Sequence, residues 1–233
     1  MTKAVLVTGV ASGIGQAQAS LFLEKGYAVY GVDKSAKPDL FHHRFQFFQM
    51  DLRDNLAALY EQVPQVDILC NTAGILDDYK PLLDTSEEEL QEVMETNFFA
   101  AVNLTRHYLT KMVERKSGII INMCSIASFM AGGGGAAYTS SKHALAGFTR
   151  QLALDYAKDG IQIFGIAPGA VKTAMTAADF KPGGLADWVA QATPIGRWTQ
   201  PAEIAELTLM LASGKLASMQ GEIVKIDGGW SLK

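Results

Sequence analysis

Ala4-Val5-Leu6-Val7-Thr8-Gly9-Val10-Ala11-Ser12-Gly13-Ile14-Gly15 decides the fold of this chain. The first four residues read as a buried strand, and the glycines turn the backbone directly into a helix. Gly9 permits the tight turn, Gly13 lets the backbone approach a pyrophosphate, and Gly15 lets helix and strand pack closely. The helix N-terminus adds N–H donors and a positive dipole end, which favour an anion there. A tight βα turn without a ligand uses the same glycines, so the turn alone is weak evidence. Asp33 strengthens it. It closes the second apolar run, Ala28 to Val32, about 20 residues beyond the turn, where an acid bonds the ribose hydroxyls of an adenosine. The same carboxylate repels a 2′-phosphate, so NAD(H) is favoured over NADP(H). Lys34 follows and is expected to point elsewhere.

The same grammar repeats along the chain. Short β-rich runs recur at Phe45 to Met50, Ile68 to Cys70, Ile119 to Met123, Ile161 to Ile166 and Ile223 to Ile226. They are apolar without strict alternation, as strands covered on both faces are. Amphipathic helical patterns lie between them, such as Leu145, Phe148, Leu152 and Tyr156. The expected fold is therefore α/β: a three-layer, doubly wound parallel sheet built as one domain over residues 1–233. Two connections are irregular. Ser35 to Arg44, broken by Pro38, is expected to be a loop or single turn. Thr173 to Thr199, rich in Gly, Pro and Ala, is expected to be a mobile segment on the substrate side.

Composition narrows the function. With 48% hydrophobic and 19% charged residues, the chain can bury a core unaided. A net charge of −4 and no Lys/Arg cluster argue against nucleic acid as a partner. No apolar stretch has membrane-spanning length, and Met1-Thr2-Lys3 runs straight into a strand, so no signal peptide or membrane role is expected. Two cysteines, Cys70 and Cys124, fit buried free thiols in the cytoplasm. The predicted strand order sets them on neighbouring strands, which makes an oxidative pair the minority reading. His42-His43 lacks further ligands and reads as a solvated loop, so no metal is expected. Met123, Met130 and Met175 read as core filling. Glu87-Glu88-Glu89, just after Thr85-Ser86, reads as a capped helix start.

Tyr138-Thr139-Ser140-Ser141-Lys142 opens a strongly helical stretch. Residues i and i+4 share a helix face, so the Lys142 ammonium is expected beside the Tyr138 phenol, favouring phenolate. A tyrosine with a depressed pKa exchanges a proton with a substrate alcohol near neutral pH. Ser125, expected at a strand end, can hold the same oxygen. On spacing alone a surface Tyr–Lys pair is the commonplace alternative.

Together with Thr8 to Gly15, Asp51-Leu52, Asn71-Thr72-Ala73-Gly74, Asn97, Pro168-Gly169, Thr173 and Asp227-Gly228-Gly229, these residues resemble the short-chain dehydrogenase/reductase family. The resemblance covers essentially the whole chain and implies a Rossmann fold with one nicotinamide cofactor. It implies that Tyr138 is the general acid/base, that Ser125 orients the carbonyl oxygen, and that Lys142 lowers the Tyr138 pKa and bonds the nicotinamide ribose. Asn97 would hold a water linking Lys142 to solvent. Gly9, Ser12, Gly13, Ile14 and Gly15 would form the cofactor turn, and Asp51 and Leu52 would flank the adenine. Asn71, Ala73 and Gly74 would line the adenosine side, while Pro168, Gly169, Val171 and Thr173 would seat the nicotinamide.

Some positions depart from the family pattern. Asn71-Thr72 replaces the usual paired asparagines, and Cys124 stands where a serine is frequent. Ser12 occupies a position where NADPH-preferring members often carry Arg or Lys. Gly132 to Gly135 are expected to give a roomy or flexible pocket wall, or simply a permissive loop. The resemblance implies interconversion of a secondary alcohol and a ketone, with a 3-oxoacyl thioester as leading substrate and a cyclic dihydrodiol as the alternative. A nucleotide-sensing module without catalysis is disfavoured, because Tyr138, Lys142, Ser125 and Asn97 are all retained. A homotetramer or dimer through helices around Asn97 to Arg115 and Tyr138 to Asp159 is the family expectation.

Overall fold

Seven strands form one parallel sheet in the order β3-β2-β1-β4-β5-β6-β7. They are β1 (Ala4–Thr8), β2 (Ala28–Asp33), β3 (Phe45–Gln49), β4 (Ile68–Asn71), β5 (Gly118–Met123), β6 (Ile161–Pro168) and β7 (Ile223–Ile226) in this computed structural model, which describes residues 2–232. Met1 and Lys233, the ends of the expected 1–233 unit, lie outside the described residues. All seven apolar runs found in the sequence are strands, and every neighbouring pair is parallel.

Burial on both faces explains the unbroken apolar runs. Along β1, Leu6 points into one core with Leu69, Ile120 and Ile163, while Val5 and Val7 point into another with Ile68, Ile121 and Phe164. The first core is covered by α2 (Ala57–Gln62), α4 (Ala100–Glu114) and α5 (Ala136–Tyr156). Leu104, Tyr108 and Met112 recur every fourth residue on α4, and all three are fully buried. Each such side chain stabilises the fold by about 1.5–3 kcal/mol. The second core is covered by α1 (Gly13–Glu24), through Ala19, Phe22 and Leu23, and α7 (Pro201–Ala212), through Ile204 and Leu211.

The connections follow local chemistry. α3 (Glu87–Met94) starts with a capping box: Glu89 N–H donates to Ser86 Oγ at 3.1 Å, and Ser86 N–H donates to the Glu89 carboxylate at 2.9 Å. Residues 34–44 carry no helix, as their brevity and Pro38 predict. The 173–199 stretch is more ordered than its composition suggests, with a 3₁₀ turn at Ala177–Phe180 and α6 (Ala186–Ala192). Trp198, buried at its end, donates to the Ala186 carbonyl at 2.9 Å. Met123 is buried as expected, but Met175 is 47% exposed on this segment and is not core. Cys70 and Cys124 are both buried free thiols, from β4 and the end of β5. Among the described residues, no helix is long and apolar enough to cross a membrane.

The strand order reverses between β1 and β4, so the connections leaving these paired strands run to opposite faces of the sheet and leave a crevice between them. In open α/β sheets this is where ligands bind.

Candidate active site

The glycine turn and the β4 end form the floor of this crevice. A Cβ on Gly9 would lie 3.0 Å from Ala73 Cα, so the two segments touch backbone to backbone. A Cβ on Gly15 would lie 2.2 Å from the Gly9 carbonyl oxygen, which leaves room for hydrogen alone. Thr8 Oγ1 accepts the Thr72 and Ala73 N–H groups at 2.9 and 3.0 Å, fixing the same junction. Thr72, standing in the place of a second asparagine, donates to Gln18 Oε1 at 2.7 Å, and Gln18 donates to Thr208 on α7 at 2.8 Å. That departure thus ties β4 to α1 and α7.

These residues suit a dinucleotide phosphate. Ser12 gives the first turn of α1 no side-chain cap, and that turn contains no acidic residue. Its N–H donors and positive dipole end therefore face the crevice with no acid within the turn itself. Asp33 ends β2 with its carboxylate accepting Ala11 N–H at 2.9 Å and Ser35 N–H at 2.8 Å. The carboxylate is thereby aimed at the turn, with lone pairs left for hydroxyl donors.

The remaining expected cofactor residues scatter more. Asp51 sits past β3 in an ion pair with Arg53 at 2.8 Å, whose hydrogen bonds hold the carboxyl down at about 2. Leu52 is buried within the first core. Asn71 is also buried, its amide donating to Asn122 Oδ1 at 2.8 Å and Thr105 Oγ1 at 3.1 Å inside the core. Pro168 and Gly169 end β6, Val171 bridges to Thr199, and Thr173 closes onto Gly13, where a Cβ would meet its methyl at 3.1 Å.

The three residues expected to react, Ser125, Tyr138 and Lys142, gather at the carboxyl end of β5. The strand stops at Met123, two residues before Ser125, which caps a short 3₁₀ turn (Ile126–Ser128). Ser128 Oγ accepts Ser125 N–H at 3.3 Å and donates to the Lys142 carbonyl at 2.8 Å, coupling the serine to α5. Tyr138 stands on the first turn of α5, with its phenol near enough to the Ser125 hydroxyl for that group to favour the phenolate. Lys142 lies one turn on, its Nζ 5.5 Å from the Tyr138 ring centre and donating to the Met123 carbonyl at 2.8 Å.

The electrostatics differ from the spacing argument. Burial pushes the Tyr138 phenol up to about 12, outweighing the Ser125 hydrogen bond that pulls it down. Burial also lowers Lys142 to about 8. The expected depression of Tyr138 by Lys142 is thus absent from the protein's own groups, because desolvation of both side chains dominates.

Asn97 lies in a π-helical turn (Glu95–Phe99) between α3 and α4. Such bulges re-aim side chains and recur at functional sites. Its Oδ1 accepts Ile75 N–H at 2.8 Å, and its Nδ2 donates to the Ile75 carbonyl at 2.9 Å and Ser141 Oγ at 3.1 Å. A Cβ on Gly74 would lie 3.2 Å from Asn97 Oδ1 and 3.5 Å from Lys142 Nζ, so Gly74 marks where both converge.

The glycine run before Tyr138 is tight rather than roomy. A Cβ on Gly134 would meet Tyr138 Cδ1 at 2.5 Å, and one on Gly133 would meet Ala127 Cβ at 3.0 Å. Only Gly132, at φ +90° with open space around it, answers to the permissive reading. Sequence reasoning missed Asp77, whose carboxylate accepts the Gly135 and Tyr138 N–H groups at 2.7 and 2.8 Å. No local motif announces it. Among the described residues, no cluster of three potential metal ligands occurs.

Comparison with known proteins agrees with this geometry. Residues 3–182 match the short chain dehydrogenase family. The chain is 35% identical to 2-dehydro-3-deoxy-D-gluconate 5-dehydrogenase of Bacillus subtilis (strain 168), over 98% of this chain and 94% of that protein. It is 34% identical to 3-oxoacyl-[acyl-carrier-protein] reductase FabG of Vibrio cholerae serotype O1, over 97% and 96% respectively. Among solved structures, a 4-hydroxyisoleucine dehydrogenase mutant complexed with NADH and succinate superposes with a TM-score of 0.93 at 30% identity, covering 99% of both chains. ElxO with NADP bound gives 0.91 at 26% identity, covering all of both. The chain belongs to the short-chain dehydrogenase/reductase family, oxidoreductases that act on CH–OH groups of small molecules with a nicotinamide cofactor.

Proposed function

We propose that this protein is an NAD(H)-dependent oxidoreductase that interconverts a secondary alcohol and a ketone, with Tyr138 as the proton-transfer group. The convergence of Ser125, Tyr138 and Lys142 at the carboxyl end of β5 carries this reading. The cofactor supplies hydride transfer when bound. Ser125 holds the substrate oxygen through its hydroxyl and orients it toward the phenol. Tyr138 gives its proton to that oxygen in reduction and takes it back in oxidation. Lys142 would bond the nicotinamide ribose, and Asn97, which converges with it at Gly74, would support a proton path. Gly9, Ser12, Gly13, Ile14 and Gly15 form the phosphate turn, with Ala73 opposite and Thr173 closing over it. Tyr138→Phe tests the core of the reading: turnover falls by about 100-fold or more while NADH binding persists. Retained turnover would refute it.

NAD(H) is favoured because the Asp33 carboxylate faces the glycine turn and Ser12 offers no cation for a 2′-phosphate. The expected ratio of kcat/KM for NADH over NADPH is about tenfold or more, equivalent to about 1.4 kcal/mol. A ratio near one would remove this assignment. A 3-oxoacyl thioester is the leading substrate, supported by the likeness to the acyl-carrier-protein reductase. The likeness to the gluconate-type dehydrogenase supports a hydroxylated sugar acid as second reading. Assays on acetoacetyl thioester and on keto-sugar acids separate the two. We further propose that one unit spanning the chain carries both cofactor and substrate sites, with residues 173–199 on the substrate side. Association as a homotetramer or dimer through the helices around Asn97 to Arg115 and Tyr138 to Asp159 is supported by exposed Phe99 and Leu154. The two free thiols fit a cytoplasmic setting.

A further inference from the structure

We propose that Asp77 is a positioning residue that clamps the first turn of α5 and so sets Tyr138 against Ser125; this rests on the reading of Tyr138 as the proton-transfer group. α5 begins at Gly135, which has no side chain to cap the helix, and its first turn has no acidic residue. The orphan N–H groups of a helix start need acceptors, and its dipole favours a negative charge. Asp77 supplies both from outside the helix. One carboxylate oxygen accepts Gly135 N–H at 2.7 Å, and the other accepts Tyr138 N–H at 2.8 Å. The partners lie 58 and 61 residues away in sequence.

Three further features are built around this clamp. Gly135 has φ −76°, which any residue adopts, so its backbone does not require glycine. Space does: a Cβ there would lie 2.7 Å from Asp77 Oδ2 and 2.8 Å from the Lys80 carbonyl oxygen. Beyond Asp77 the chain turns through two consecutive left-handed residues, Asp78 at φ +54° and Tyr79 at φ +59°. Non-glycine residues adopt that conformation at a cost, and such strain concentrates at functional segments. The turn brings the Lys80 carbonyl against Gly135 while the Lys80 ammonium pairs with Glu89 on α3. Upstream, Ile75 is bonded in both directions to Asn97. A segment of seven residues, from Gly74 to Lys80, is thus held by the π turn at one end and by α5 at the other.

The clamp also sets the charge seen by the phenol. The groups facing Tyr138 are Ser125, which favours phenolate, and Asp77, Tyr79 and Cys124, which disfavour it, with the Lys142 ammonium at 5.5 Å from the ring. Alcohol oxidation needs the phenolate, so its rate rises with pH. Removing the Asp77 charge moves that rising limb to lower pH.

The test compares Asp77→Ala, Asp77→Asn and Gly135→Ala with wild type and Tyr138→Phe, measuring kcat, NADH affinity, thermal stability and the pH profile of alcohol oxidation. Asp77→Ala and Gly135→Ala are expected to lower kcat by about tenfold or more while NADH affinity changes less than about twofold. Asp77→Asn, which keeps the volume and one acceptor, is expected to recover part of kcat and to shift the limb downward. Should the alanine variants not fold, Asp77→Asn alone decides through its pH limb. An unshifted limb in that variant, kcat within about twofold of wild type, or parallel losses of kcat, NADH affinity and stability would overturn the clamp. Turnover retained by Tyr138→Phe would instead strike the parent reading.

Discussion

The two glycine-rich stretches of this protein, Gly9 to Gly15 and Gly132 to Gly135, omit side chains for different ends. In the first, hydrogen replaces Cβ so that backbone can meet backbone: Gly15 against the Gly9 carbonyl, and Gly9 against Ala73. That contact exposes N–H donors of α1 for an anion. In the second, hydrogen makes room for neighbouring side chains, with Gly134 against the Tyr138 ring and Gly135 against the Asp77 carboxylate. On the proposed function, the first stretch would shape a ligand's seat and the second would fix the proton-transfer group. Disturbing them should therefore separate binding from turnover.

The largest effect is expected at Gly15→Ala, because the obstructing atoms are backbone and cannot swing aside. A loss of about 3 kcal/mol in urea unfolding is expected. NADH affinity in a fluorescence titration should drop with it, by about tenfold or more. Gly134→Ala comes next: the Tyr138 ring can tilt, which limits the destabilisation to about 1–3 kcal/mol. Turnover should fall by about tenfold while NADH affinity stays within about twofold. Equal loss of NADH binding in both variants would break the distinction.

The second stretch also stands beside the half-buried Tyr138 and the buried Lys142, which add a pH signature. Lys142 is lowered to about 8 from an ordinary 10.5, so between these values the unfolded chain binds more protons and stability rises with pH. Tyr138 is raised to about 12 from 10.0, so above pH 10 the folded chain binds more protons and stability falls. Subtracting the Lys142→Met curve from wild type in urea melts isolates the lysine: the difference should climb in favour of wild type from pH 8 to 10. A flat difference would mean the ammonium is not desolvated. Gly132→Ala sharpens the comparison from its weak end. Its φ of +90° has nothing within 4 Å, so only backbone strain of about 1 kcal/mol is expected, with turnover unchanged.

What was legible in the sequence was what is written locally. The strand-turn-helix around Gly13, the Ser86–Glu89 capping box and the helix face carrying Tyr138 and Lys142 each depend on neighbours a few residues apart. Their local geometry follows from spacing, while their chemistry becomes legible only from the motifs taken together. Asp77 was illegible because its partners enter from a distant helix start, and nothing near Asp77 signals them. The π turn at Asn97 was hidden for a related reason, since its shift in register falls where α3 gives way to α4 and no local motif marks it. The direction of the Tyr138 shift was misjudged because spacing supplies a neighbouring charge but not the loss of water around it. The four-residue step from Tyr138 to Lys142 is readable; desolvation belongs to the assembled fold.

The π turn at Glu95–Phe99 also makes chain length itself a constraint. Each residue of an α-helix advances the face by about 100°, so deleting one residue within the turn would restore regular winding and rotate everything after it by that angle. Leu104, Tyr108 and Met112 would then leave the core, or Asn97 would leave Ile75. Single substitutions across Glu95 to Phe99 should thus be absorbed far more readily than the loss of any one position.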